Sequence, residues 1–241
     1  MSNSRIALVT GANKGIGREI ARQLGAQGMT VLIGARDAER GEEAARQLQQ
    51  EGIEAHYIHL DVTDQDSIDA AARRMEHDFG RLDILVNNAA IAQDNESPSR
   101  LDIEILHRTY ETNVFGVFAV TKALLPLLKK SAAGRIVNMS SGLGSLTLTS
   151  DPNSGYAHFN LLAYNSSKTA LNALTVQFAN ELRHTPIKIN AADPGYVATD
   201  LNQHRGYRTV EQGAATPVRL ATLPEDGPTG SYFNDEGVLP W

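Results

Sequence analysis

There is no cysteine in this 241-residue chain. That removes thiol nucleophiles, disulfides and thiolate-bound metals together, and it is compatible with a reducing compartment. Positive charge is also scarce: 22 Lys and Arg stand against 28 Asp and Glu, a formal charge of −6. A general nucleic-acid surface or a polybasic membrane anchor is therefore not expected, and any anionic ligand must be gripped locally. Long hydrophobic runs are missing as well, since Lys122 interrupts the longest candidate, VFGVFAVTKALLPLL, before it reaches membrane-spanning length. The N-terminal stretch MSNSRIALVTG runs straight into a strand-like segment without a long apolar core or a small-residue cleavage site. No signal peptide is read there, and a soluble cytoplasmic protein is the expectation. His56 and His59 stand three apart in a strand and so point to opposite faces, which argues against a shared metal. No serine sits in G-x-S-x-G, so the nucleophile turn of an α/β-hydrolase is absent.

What is present is a 41% hydrophobic content, enough for a sizeable core. Short apolar runs alternate with longer amphipathic stretches from end to end, the pattern of parallel strands joined by crossover helices. The expected fold is α/β, a single doubly wound parallel sheet with helices on both faces. Strands are predicted at 5–10, 29–35, 55–60, 82–87, 134–140, 187–193 and 230–234, and helices near 15–27, 38–51, 65–79, 101–131, 162–184 and 209–221. No repeat or linker divides the chain, so one domain is expected over 1–241. Two polar segments containing Gly and Pro, 142–160 and 195–208, both follow strands. Ligands of open parallel sheets bind beyond the carboxyl ends of the strands, so these loops should form the substrate pocket.

The first strand ends in Thr10-Gly11-Ala12-Asn13-Lys14-Gly15-Ile16-Gly17 and passes directly into a helix. Glycines there permit a tight turn and close backbone approach, while free N–H groups at the helix start favour a pyrophosphate. Three residues rather than one separate the first two glycines, which departs from G-x-G-x-x-G and resembles the T-G-x-x-x-G-x-G turn of the short-chain dehydrogenase/reductase family, a Rossmann-fold family. The second strand ends in Gly34-Ala35-Arg36-Asp37. An acid at position 35 would accept hydrogen bonds from a free ribose 2′-hydroxyl, but Ala35 cannot. Arg36 suits a 2′-phosphate, and Lys14 can add a second positive charge, so NADPH/NADP+ is expected rather than NADH. The bland alternative leaves Arg36 in solvent and gives the ribose to Asp37.

The resemblance continues in order along the chain. Asp61, followed by Val62 in HLDV, resembles the family's acid beside the adenine amino group. Asn87-Asn88-Ala89-Ala90 is similar to its N-N-A-G, with Ala90 in place of Gly, a residue that would be strained if the backbone there needs positive φ. Asn113, Ser141, Tyr164 and Lys168 match the family's catalytic set. Pro194-Gly195-Tyr196-Val197-Ala198-Thr199 resembles the segment that holds the nicotinamide carboxamide, with Val197 and Thr199 the implied contacts. In related proteins the helices near 101–131 and 162–184 commonly meet across subunits, so a homo-oligomer is an open expectation.

Tyr164 and Lys168 stand four apart, on one helix face, and Tyr164 alone among the seven tyrosines has Lys at that offset. Hydride transfer to a carbonyl leaves an alkoxide that needs a proton as its charge develops. A free tyrosine has a pKa of about 10, and lowering it by ~3 pH units would take ~4 kcal/mol of help from the Lys168 ammonium and a cationic nicotinamide. Ser141 would orient the substrate oxygen. By resemblance, Lys168 also binds the nicotinamide ribose, and Asn113 holds a water linking Lys168 to solvent. The gap between Ser141 and Tyr164 looks like that of the carbonyl-reductase branch. Within it Leu143, Leu146, Tyr156, Phe159 and Leu161 could line a substrate wall or simply be core. His204 and Arg205 could face a polar substrate group, and Trp241 could cover the pocket or pack on a partner subunit. The expectation is NADPH-dependent reduction of an aldehyde or ketone, a small-molecule carbonyl substrate. Its rivals are NAD-dependent alcohol oxidation and a non-catalytic NADPH-sensing regulatory protein.

Overall fold

The computed structural model describes residues 4–241, so the first three residues of the N-terminal stretch lie outside it. Within that span seven strands form one parallel sheet in the order β3-β2-β1-β4-β5-β6-β7. They are β1 (Ile6–Thr10), β2 (Thr30–Ala35), β3 (Ala55–His59), β4 (Ile84–Asn87), β5 (Arg135–Met139), β6 (Lys188–Ala192) and β7 (Tyr232–Phe233). Each falls inside a predicted strand, and the chain order reverses between β1 and β4, the crevice where such folds bind ligands.

β1 and β2 are buried at every position, as expected for parallel strands covered on both faces. Their alternate residues feed two separate cores. Ala7, Val9, Val31 and Ile33 pack with Ile20, Leu24, Leu48 and Val218 on one side of the sheet. Leu8 and Leu32 pack with Ile68, Met75, Val120, Leu124 and Leu182 on the other. The helices that cover these faces are α1 (Gly15–Ala26), α2 (Ala38–Gln50), α3 (Gln65–Phe79), α4 (Ile103–Tyr110), α5 (Gly116–Leu128), α6 (Leu146–Ser150), α7 (Leu162–Glu181) and α8 (Val210–Ala221). Several start where an acid can cap them: Asp37, Asp64 and Asp102 each accept a backbone N–H from the first turn of α2, α3 and α4, satisfying donors that a helix start otherwise leaves open.

The stretch expected as one helix over 101–131 is continuous but not uniform. A π-turn, Glu111–Phe115, joins α4 to α5. The resulting 26-residue run Ile103–Leu128 is long and apolar enough by length and composition to cross a membrane, which corrects the expectation that no segment approaches that length. Its most apolar window is 56% buried within this fold, with Val120, Leu124 and Leu127 in the core beneath the sheet. The segment expected as substrate loop, 142–160, carries a 3-10 turn (Gly142–Gly144) and the short α6, neither of which was predicted.

Candidate active site

A cleft of about 890 Å³ opens above the carboxyl ends of the strands. Of the residues singled out from sequence, Gly11, Asn13, Lys14, Gly15, Ile16, Gly17, Arg36, Asp61, Val62, Ala89, Tyr164, Lys168, Pro194 and Thr199 line it.

The glycine turn at the start of α1 is shaped for an anion. Gly15 has φ +58, a conformation that side chains resist. A Cβ on Gly17 would lie 2.4 Å from Asn88 Nδ2 and 2.8 Å from the Gly11 carbonyl oxygen. The N-cap, Lys14, makes no side-chain capping bond, and no acid stands in the first turn. The opening N–H groups of α1 therefore face the cleft uncapped, which fits a dinucleotide pyrophosphate. Asn88 and Thr10 fix this shape. Asn88 Nδ2 donates to the Thr10 carbonyl at 2.8 Å, and the Thr10 hydroxyl accepts the N–H groups of Asn88 and Ala89 at 2.9 and 3.0 Å. Asn88 stood in the recognised N-N-A-A stretch, yet its role as a brace between β1 and β4 is visible only once the two strands are paired.

One doubt raised by sequence resolves here. Among the described residues the non-glycines with positive φ are Gln203 and His204, so Ala90 lies in ordinary backbone and no strain arises. Asp37 caps α2 by accepting from Arg40 N, and the exposed Arg36 stands at the cleft wall. Burial alone would raise the pKa of Asp61. Hydrogen bonds from Thr63 and the charges of Arg36 and His59 outweigh it and hold Asp61 below its ordinary value. Lys14 lines the cleft, and its Nζ lies 2.5 Å from Asp200 Oδ2 in an exposed ion pair. That contact holds Asp200 low.

Of the four residues expected to carry the reaction, Tyr164 and Lys168 line the cleft. Lys168, 3% exposed, lies with its Nζ 5.5 Å from the Tyr164 ring centroid and donates to the Met139 carbonyl at 2.7 Å. Both side chains thus share one face of α7. Burial pushes the phenol up to about 12, the Ser141 hydroxyl hydrogen-bonded to it works in the opposite sense, and the Asp193 carboxylate adds to the rise. Burial also lowers Lys168 to about 8. Burial penalises both charged forms, and the amine is aimed at the Met139 carbonyl.

Asn113 sits in the π-turn and is fully buried. Its Oδ1 accepts from Ile91 N and its Nδ2 donates to the Ile91 carbonyl, both at 2.9 Å, and to Ser167 Oγ at 3.0 Å. These bonds pin the segment after β4 against α7. π-turns interrupt helices most often at functional positions.

Other predicted positions serve as walls rather than as lining. Asn87 is buried and donates to Thr121 Oγ1 and Asn138 Oδ1. Val197 is 3% exposed, and its carbonyl accepts from Asn202 Nδ2. Gly195 is exposed, with its N–H held by Asp193. None of Leu143, Leu146, Tyr156, Phe159 and Leu161 is among the residues lining the cleft. Leu146 and Phe159 are 63% and 49% exposed, so they are not core either. His204 lines the cleft and pairs with Asp200, whereas Arg205 binds Gln203. Trp241 stacks on Tyr232, with ring centroids 5.6 Å apart, and its carbonyl accepts from Thr147 N and Oγ1. It therefore packs within its own chain against α6. Among the described residues no cluster of three metal-ligating side chains occurs.

Known proteins resemble this chain in sequence and fold. The family model described as short chain dehydrogenase matches residues 5–208. "Short-chain dehydrogenase/reductase 1" of Saponaria officinalis is 38% identical over 297 residues, covering 100% of this chain and 97% of that protein. "Carbonyl reductase [NADPH] 1" of Sus scrofa is 37% identical over 280 residues, covering 100% and 95%. That alignment is longer than the 241 residues of this chain, so the relative carries residues with no counterpart here. Among solved structures, the NADPH-bound carbonyl reductase from chicken fatty liver superposes with a TM-score of 0.87 at 30% identity, covering 100% of both chains.

Proposed function

The chain belongs to the short-chain dehydrogenase family, and from that premise we propose that it reduces an aldehyde or ketone to an alcohol with NADPH, Tyr164 giving the proton. It is an NADP-dependent short-chain oxidoreductase, in line with the relatives named as NADPH carbonyl reductases. The observation that carries the finer reading is the juxtaposition at the deep end of the cleft. Tyr164 and Lys168 share a helix face, and the Ser141 hydroxyl meets the phenol.

NADPH, when bound, would supply the hydride. The uncapped start of α1 would hold its pyrophosphate, Arg36 its 2′-phosphate and Asp61 its adenine. The remaining work falls to side chains. With a pKa of about 12, Tyr164 is a phenol at neutral pH, the form a proton donor requires. Ser141 shares the substrate oxygen with it and orients the carbonyl. As the alkoxide forms, it takes the Tyr164 proton, leaving a phenolate that a cation at Lys168 favours. Lys168, near 8, is then matched for returning a proton close to neutrality. The Asn113 side chain is already bound to Ile91 and Ser167, so a water relay at this position would use its main chain.

The test is NADPH consumption with a panel of ketones and aldehydes, in the parent and in Tyr164→Phe. The variant should keep its NADPH affinity and lose at least ~100-fold in kcat, the lower end for a positioned acid. Near-parental turnover would reject the role of Tyr164. NADPH binding without turnover of any carbonyl in the parent would favour a sensor.

A further inference from the structure

Helix α7 begins without a cap of its own. The residue before it is Leu161, which offers no side-chain acceptor and adopts φ −88, ψ 80, where other helices of this chain carry Asp, Ser or Thr. Its opening N–H groups are satisfied from elsewhere. Asp94, 69 and 70 positions earlier in the chain, accepts the Ala163 N–H on Oδ1 at 2.7 Å and the Tyr164 N–H on Oδ2 at 3.1 Å. These are the second and third residues of the helix, whose donors an N-cap side chain normally binds.

Resting on the reading above, we propose that Asp94 is the positioning residue for the proton donor. It caps α7 across the fold and thereby fixes the backbone from which the Tyr164 phenol projects. The neighbouring bonds make this a closed frame. The Tyr164 carbonyl accepts from Ser167 Oγ at 2.7 Å, Ser167 Oγ accepts from Asn113 Nδ2, and Asn113 grips Ile91 by both its N–H and its carbonyl. From Ile91 the chain returns through three peptide bonds to Asp94. Both polar groups of the Tyr164 backbone are thus held by side chains of this frame, one from the segment after β4 and one from α7 itself. That segment also forms a wall of the cleft through Ile91, Ala92 and Gln93, so a substrate lying against it lies against the strap that sets its proton donor. A carboxylate at this helix start also suits the positive end of the helix dipole.

The experiment compares the parent with Asp94→Ala, Asp94→Asn and Asp94→Ala combined with Leu161→Asp. For each it measures kcat for a carbonyl, NADPH Kd and hydrogen exchange of the Ala163 and Tyr164 amides. Asp94→Ala should lower kcat by ~10- to 100-fold, since misplacing a reacting group by an ångström costs up to ~100-fold, with NADPH Kd within about threefold. Those two amides should exchange about tenfold faster, as a lost cap implies. Asp94→Asn, with one acceptor oxygen left, should fall between. The local carboxylate in the double variant should restore both the amide protection and most of kcat. An unchanged exchange rate in Asp94→Ala overturns the proposal whether or not the parent reduces any carbonyl. So does a kcat within twofold of the parent, a kcat loss matched by lost NADPH binding, or a failure of both Asp94→Asn and Leu161→Asp to rescue. A parent that binds NADPH but turns over no substrate instead defeats the reductase reading, and the exchange rates still decide the cap.

Discussion

Replacing Lys168 by Met should make the protein more stable at neutral pH while abolishing its chemistry. Lys168 is 3% exposed, and burial lowers its pKa from 10.5 to about 8, a difference that corresponds to roughly 3 kcal/mol held against folding when the amine is charged. Its one bond, to the Met139 carbonyl, is worth about 1 kcal/mol, so Lys168→Met should gain roughly 2 kcal/mol at pH 7. For a protein of this size that is about 4–8 °C in Tm. The pH dependence follows from the direction of the shift. Below the folded value of about 8 both folded and unfolded chains carry the proton, and the full cost is present. Between about 8 and 10.5 the folded chain releases it first, so the stability of the parent rises with pH. The advantage of the variant should therefore shrink over that window. Tyr164 opposes the rise only above its ordinary value of 10, equally in both proteins, so it cancels in the comparison. Urea denaturation of the coenzyme-free proteins at pH 7 and at pH 10 reads this difference directly. A variant less stable than the parent at pH 7, or an advantage that does not change between the two pH values, would refute the reasoning.

Arg36→Ala should erase most of the preference for NADPH over NADH, because the charged bond to a 2′-phosphate is lost while the cradle of α1 stays intact; the ratio of kcat/KM for the two coenzymes checks it, and an unchanged ratio removes the assignment. Asp200→Asn should tighten NADPH binding by a few-fold and leave NADH unaffected, since it frees the Lys14 ammonium from an exposed pair worth no more than about 1 kcal/mol; titration by fluorescence reads both affinities. Gly17→Ala should weaken binding of either coenzyme at least ~10-fold, because its Cβ would come within 2.8 Å of the Gly11 carbonyl oxygen and push the turn open, an overpacking cost of about 1–3 kcal/mol; equal Kd values for the variant and the parent would show that the turn can relax.

The elements that could be read in the sequence are those whose signals are local. A buried parallel strand must be apolar along its length, and IALVT and TVLIGA look like nothing else at that length. Asp37 and Asp64 stand one residue before the helices predicted at 38 and 65, whereas Asp102, inside the span predicted from 101, caps α4 at its actual start. The Tyr164–Lys168 spacing, too, needs only helix geometry to put both groups on one face. The π-turn at Asn113 is another matter. The sequence there, ETNVF, lacks any glycine or proline, and its extra residue is stabilised by bonds to Ile91 and Ser167, partners that only the folded chain brings near. α6 escaped notice for a related reason: five residues are too few to show a helical period, and the Trp241 carbonyl that accepts from Thr147 comes from the far end of the chain.

The same distinction bears on the acidity of Tyr164. Spacing on a helix specifies which charges are neighbours, but a pKa depends as much on what water has been excluded, and that is a property of every element packed around the site. Here the turn Gly142–Gly144 packs on α7 at Lys168, and at Tyr164 burial outweighs the help its neighbours give. Burial that raises the phenol makes it a weaker acid, so its proton leaves only where positive charge offsets the cost of the phenolate, and the amine beside it is pressed toward neutrality by the same burial. Such a pair is poised so that a new positive charge in the cleft, the oxidised ring left by hydride transfer, would favour phenolate at the moment the proton has gone. Asp94 fits the same logic. Leu161 has no side-chain acceptor, so the cap of the helix that presents the phenol to the cleft comes from the strap that forms the cleft's wall.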